Sequence, residues 1–331
     1  MRDLSRSARG VFHVLLGLAL ALPMVAAARA QAPAVARPPA RPGKAPIPRT
    51  ADGKPDLQGV WDFAQLTPFE RPDALAGKSS FSADEAEEFA QQKVESDNKD
   101  RRDGTADADV ARAYNDFWWD FGTRVSKQTS LVVAPASGRV PPLTAAAEAR
   151  AAQRVVRYDN PEERPLPERC ILGFNSGPPM VPSAYNNNVQ IVQTPVRLLI
   201  FNEMIHSARV VDMTRQAHLP NSIRLLTGDS IGRWDGDTLV VDTTNFQKEG
   251  GFRGASANMH LVERFSRADA TTLRYDFTVD DPATWTSAWT ASIPMTLTDE
   301  LMYEYACHEA NYALAGVLSG ARFGERTPAK K

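Results

Sequence analysis

The hydrophobic rhythm of the chain changes near residue 185. Upstream, apolar positions come in spaced stripes among charges and prolines. Downstream they alternate with polar ones, the beat of a sheet with one dry face. Residues 189–194 and 197–205 are β-branched and apolar runs parted by Pro195. Over 233–241, two such runs flank Asp235-Gly236-Asp237-Thr238, which predicts a hairpin with an Asp-Gly turn. Leu273, Tyr275, Phe277 and Val279 then alternate with Thr272, Arg274, Asp276 and Thr278. A strand over 259–266 pairs with that one across 268–270, Trp289, Ala291, Ile293 and Met295 continue the pattern, and 302–305 is expected to close the sheet. Roughly eight to ten short strands in succession predict a mostly β fold, an antiparallel meander that closes into a barrel or folds as a sandwich. Closure removes exposed edges, and a barrel of about eight strands can enclose one small ligand.

The upstream pattern is helical. After a short strand at 56–61, Ser82 with Glu85 forms a capping box ahead of the stripe Ala86, Phe89, Ala90 and Val94. A charged stretch over 95–109 reads as a solvated face. Tyr114, Phe117, Trp118 and Phe121 recur at helical spacing before Gly122, a stripe expected to enter the core, and Thr144 opens an Ala-rich helix. These predict a helical insertion over about 80–160, packed outside the barrel or over one end.

The termini add location. Arg2, Arg6 and Arg9 precede an apolar run, and Ala28-Arg29-Ala30 is an A-x-A cleavage site, so 1–30 reads as a secretory signal peptide cut after Ala30. The run is too short for a comfortable membrane span, and no later stretch reaches that length. Residues 31–50 hold six prolines and read as a disordered linker. One domain over 51–324 and a frayed tail over 325–331 complete the expected organisation. The formal charge of −2 becomes about −5 without the leader. A mildly acidic chain without a basic patch has no electrostatic case for nucleic acid or anionic lipid. Two cysteines in an oxidising compartment predict one disulfide, Cys170–Cys307, worth up to about 4–5 kcal/mol in the chain-entropy model. The expected location is periplasmic or secreted; oligomeric state is left open.

Gly59-x-Trp61 on the first strand resembles the opening of a lipocalin, which implies a lipocalin-like barrel. From about 50 to 322 the chain also resembles a group of uncharacterised exported proteins of environmental bacteria. The resemblance rests on 168–171, 190–195, 203–206, 232–234 through 245–246, and 303–309. It implies export and transfers no catalytic residue.

Candidate chemistry follows from polar residues on dry faces. Glu263 shares parity with Met259, Leu261 and Phe265, so it points inward, where a carboxyl pKa is expected to rise as a general acid or base requires. A buried ion pair with an inward arginine, for instance Arg209 or Arg253, is the alternative. Glu203, His206 and Arg209 sit in one strand-like run; strict alternation places Glu203 and Arg209 on one face and His206, a natural proton shuttle, on the other. His308 beside the disulfide, with Tyr185 and Asn187, is expected at a barrel mouth. Glu263, His206 and Glu203 are therefore the catalytic candidates, and Arg209, Tyr185, Asn187, Tyr275, Trp289 and His308 the ligand-binding ones. His206, His218, His260 and His308 are widely spaced, with no H-E-x-x-H and no C-x-x-C, so no metal is expected. No G-x-S-x-G, G-x-G-x-x-G or P-loop is present, so no cofactor is expected either. Two readings remain: a protein that binds a small, largely apolar molecule in a barrel cavity, or a cofactor-free lyase, isomerase or hydrolase on the same scaffold. A structural or envelope-interaction protein would instead have a packed core.

Overall fold

The alternating half of the chain folds as its period predicts. The computed structural model describes residues 46–100, 104–107, 116–153, 157–248, 251–309 and 311–326. The leader, most of the linker, Tyr114, the side chain of Phe117 and residues 327–331 lie outside that description.

The strands are β1 (Gly59–Asp62), β2 (Val132–Ala134), β3 (Asn188–Gln193), β4 (Arg197–Asn202), β5 (Ala208–Asp212), β6 (Asp229–Asp235), β7 (Thr238–Thr244), β8 (His260–Arg267), β9 (Thr272–Asp280) and β10 (Trp289–Thr298). They form one sheet in the order β1-β3-β4-β5-β6-β7-β8-β9-β10, and β10 pairs back onto β1 from Val60↔Thr298 to Asp62↔Thr296. Nine strands thus close into a barrel, and β2 lies outside it against Thr290 and Ala291 of β10. Residues 302–305 do not close the sheet: β1 occupies that edge, and the Tyr303 N–H donates instead to Glu203. One junction departs from the antiparallel meander. β5 meets β6 in parallel through the single pair Asp212↔Ile231, because the chain returns through 213–228 before β6 begins. In the β6–β7 hairpin the two-residue loop is Gly236-Asp237, one step beyond the Asp-Gly pair; Gly236 has φ 59°, the positive angle that the first loop position of a II′ turn needs.

Inward side chains fill the barrel. Trp61, Ile200, Val241, Leu261, Phe277 and Ile293 have no surface that water reaches. Rings on adjacent strands touch: Phe265 and Tyr275 at 4.9 Å between centroids, Tyr275 and Phe277 at 5.6 Å, Phe277 and Trp289 at 5.8 Å. Among the described residues the inward side chains leave no water-accessible hollow, because aromatic rings occupy the diameter that smaller side chains would leave open.

The pairings also sort the connections. Short turns at 194–196, 236–237 and 268–271 share one end of the barrel. The opposite end carries the β4–β5 turn, the loops 245–259 and 281–288, and the segment leading into β3. That segment plugs its end: Met180 is fully buried, and its N–H donates to the Tyr275 hydroxyl at 3.1 Å.

Three α-helices lie among the described residues: α1 (Ala83–Asp97), α2 (Ala145–Ala152) and α3 (Tyr312–Arg326). Ser82 and Glu85 make the predicted capping box, and the Thr144 side chain caps α2. The apolar stripe of α1 is not core; the helix buries no residue, and Val94 is 47% exposed. Of the aromatic stripe, Trp118 does not enter the core: Asp116–Trp118 form one 3₁₀ turn and Trp118 is 57% exposed. Beyond it the chain is drawn into the plug, where the Asp120 N–H donates to Ala184 O. The C-terminal helix was not expected. Gly316, Gly320 and Gly324 lower its propensity, and its last two residues, Glu325 and Arg326, fall in the expected tail.

Cys170 and Cys307 are bonded, with Cα atoms 5.7 Å apart, and tie the plug to the segment before α3. No helix among the described residues is long and apolar enough to cross a membrane. The disulfide fits a periplasmic or extracellular protein.

Candidate functional site

The inward carboxylate of β8 does find an arginine, and it is Arg209. Glu263 has no exposed surface, and Arg209 on β5 grips both its oxygens, at 2.5 and 2.8 Å. Tyr275 on β9 donates its hydroxyl to the same carboxylate at 2.7 Å while accepting from the Met180 N–H. Ser230 lies 3.3 Å from the guanidinium and 2.9 Å from the Thr243 hydroxyl. Burial works against the charge on Arg209, but the attraction of Glu263 outweighs it and holds the pKa above the ordinary value. Burial, reinforced by the same carboxylate, pushes the Tyr275 phenol well up, so it stays a donor. Every oxygen of Glu263 is engaged and sealed from solvent; no substrate atom has room beside it.

The other catalytic candidates are not brought to it. β4 ends at Asn202, and residues 203–206 turn sharply, with Ile205 at φ 55° and His206 at φ 39°. Glu203 is buried in that turn, accepting from the Asn188 side chain at 3.0 Å and the Tyr303 N–H at 3.1 Å. His206 points to solvent. Strict alternation fails here because the strand has already ended.

The ligand-binding candidates divide between scaffold and mouth. Asn187 is fully buried and knots the plug, accepting from the Ser183 N–H and donating to Asp120 O and Ser183 O. Tyr185 packs edge-on against Phe174 and stacks on Tyr305, while His308 is exposed. Trp289 lies at the plugged end in a nest with Phe69, Phe252, Phe277 and Trp285, all with centroids within 6.1 Å of its ring. Its buried indole N–H has no acceptor among the described residues.

Two features escaped the sequence reading. On the outer face of the β6–β8 wall, His218 lies 3.0 Å from Asp229 and 2.9 Å from Asp242, His260 lies 3.0 Å from Asp242, and Arg215 grips Asp229. Burial tends to raise both carboxyl pKa values, but Arg215 at Asp229 and the histidines at Asp242 outweigh it and hold both down. The hydrogen bond to Asp242 raises His260. The outward parity of Asp242 and His260 was legible; the approach of His218 from the 213–228 connection was not.

The second feature is a pair of openings beside the plug. The larger, about 610 Å³, lies between 158–168 and α3. Its polar groups are occupied: Arg164 is paired with Glu168 and lies over Tyr158, and Asn311 donates to Glu168 O. The smaller, about 250 Å³, lies between the plug and residues 251–253, walled by Pro167, Leu172, Phe174, Pro178, Pro179 and Phe252. Arg253 lines it, stacked on Phe69 and ion-paired with Glu70. Among the described residues it has no hydrogen-bond acceptor; the nearest acid, Glu70, is 3.6 Å away. Spare hydrogen-bonding capacity beside proline, leucine and phenylalanine side chains is what a binding site requires, so the smaller opening is the stronger candidate.

Comparison with protein-family models, with curated proteins and with solved structures finds no match for this chain.

Proposed function

We propose that this is an exported, lipocalin-like binding protein whose small, largely apolar ligand sits at the plugged mouth of the barrel, not in its interior. One observation carries the reading: the barrel is filled, while its plugged end keeps an opening of about 250 Å³ where proline, leucine and phenylalanine side chains meet polar backbone and Arg253. Pockets that bind small molecules pair apolar side chains with a few polar groups. Apolar burial there supplies affinity at about 25 cal/mol per Å² before the cost of association. The leader over 1–30 and the disulfide support export. No observation favours the alternative enzyme, since Glu263 is sealed and His206 lies on an exposed turn.

The test is mass spectrometry of small molecules that co-purify with the exported chain and with Leu172→Trp, which fills the opening. A compound carried by the wild type and lost from Leu172→Trp supports mouth binding. Equal retention by both, or a wild type that carries nothing and binds nothing from a library of apolar compounds, overturns it.

A further inference from the structure

We infer that the mouth opening is selective for a small monocarboxylate with an apolar body, and that Arg253 is the residue that grips the carboxylate. This rests on the mouth-binding reading and adds the chemical class of the ligand.

Three independent observations converge on Arg253. Its backbone is left-handed, at φ 52° and ψ 33°, a conformation that costs a non-glycine residue energy and that glycine adopts freely. Gly254 follows immediately, and Arg253 stands at a position where a glycine would be less strained. Its guanidinium is also stacked, 3.9 Å from the Phe69 ring centroid and 5.7 Å from that of Phe252. Stacking fixes the plane of the fork while leaving its edge available. Finally, among the described residues no hydrogen bond engages the edge, and its one ion-pair partner is Glu70. Other arginines of this chain close bidentate pairs: Arg209 with Glu263, Arg215 with Asp229, Arg164 with Glu168. Arg253 has only Glu70 at 3.6 Å, and Glu70 is itself held by the Val140 N–H. Burial against the rings pulls the Arg253 pKa down, and Glu70 offsets only part of that, so the cation lacks a full counter-charge.

The chemistry narrows the ligand further. One planar fork matches one carboxylate in a two-point contact. A phosphomonoester brings about two charges to a site with one cation and an acid nearby, and the rest of the wall is proline, leucine and phenylalanine. A carboxylate whose aryl or branched alkyl body lies against Pro178, Phe174 and Leu172 satisfies both halves of the opening.

The experiment uses the full chain and a library of small aryl and alkyl carboxylates, each paired with its carboxamide, with affinities read by ligand-observed NMR. Wild type is expected to bind carboxylates at least about 10-fold tighter than their amides, a difference of about 1.4 kcal/mol. Arg253→Gly removes the fork and relaxes the backbone, so its melting temperature should hold or rise while the carboxylate preference falls to about one. Arg253→Lys keeps the charge, loses the two-point contact and should retain only part of the preference. Leu172→Trp should abolish both arms. Equal binding of acids and amides by wild type, or a preference that survives Arg253→Gly, overturns the inference while leaving mouth binding intact. Binding of neither arm by wild type overturns both.

Discussion

One stretch of barrel wall, β5 to β8, carries a charge network on each face, and the two behave differently. Inside, Arg209, Glu263 and Tyr275 are dry, and each charge-bearing atom is held by a protein partner. Outside, Asp229, His218, Asp242 and His260 are hydrogen-bonded at about 3 Å, with Asp229 buried and the other three in partial contact with water. The difference lies in the environment. An inner group that loses its partner leaves a charge with no water to replace it, so that network is locked into the fold. Outer groups can exchange a partner for solvent, so their network responds to pH and contributes little to stability.

The sharpest way to break this contrast is Glu263→Gln, which leaves Arg209 buried without its counter-ion. Denaturant unfolding should show a loss of about 3–5 kcal/mol; a loss below about 1 kcal/mol would place the pair in wet surroundings. Replacing both partners, Arg209→Met with Glu263→Leu, should recover much of that loss, because two apolar side chains need no desolvation offset.

Reduction of the disulfide, or Cys170→Ser with Cys307→Ser, should cost about 2–4 kcal/mol by freeing a long loop of the unfolded chain. It should release the plug from the C-terminal segment, so hydrogen exchange should rise at 168–185 and hardly at β8 and β9. Equal deprotection of the wall would show that the plug and the inner network form one cooperative unit.

Tyr275→Phe should cost about 1–3 kcal/mol, since it strips a donor from Glu263 and an acceptor from the Met180 N–H.

The smallest effect belongs to the outer face. Asp242→Asn should cost within about 1 kcal/mol, and the cost should depend on pH. The folded pKa of His260 lies above its ordinary 6.5, so its contribution is complete below that value and fades as pH rises through the elevated one. Those of Asp229 and Asp242 lie below their ordinary 3.8, so their contribution is present above that value and fades as pH falls through the depressed ones. The melting-temperature gap between wild type and Asp242→Asn should therefore be widest between about pH 4 and 6.5. A gap that is flat across pH 3–9 would detach the histidines from the carboxylate.

Much of the barrel was legible because a period of two survives translation into a sheet unchanged. Tyr275, Phe277, Trp289 and Ile293 occupy the dry face their parity predicts. Parity also placed Glu263 inward, and its partner was one of two arginines considered. It failed at Glu203 and His206, where the strand stops, and helical spacing failed at Trp118, which lies exposed on a 3₁₀ turn. The wall's size also escaped it. Alternation says which side chains point inward, and only their combined volume against the barrel diameter says whether a cavity remains.

The sequence by itself determined most of the barrel strands, the faces of their side chains and the cysteine pair, because these depend on local spacing and composition. Tertiary structure alone decided that β1 closes the barrel, that the barrel's described inward side chains are buried, that His218 reaches Asp242 and that Arg253 stands beside the mouth opening with Glu70 as its ion-pair partner. Those outcomes join residues far apart in the chain. Their energies come from which groups share a dry or wet environment, and no local pattern encodes that.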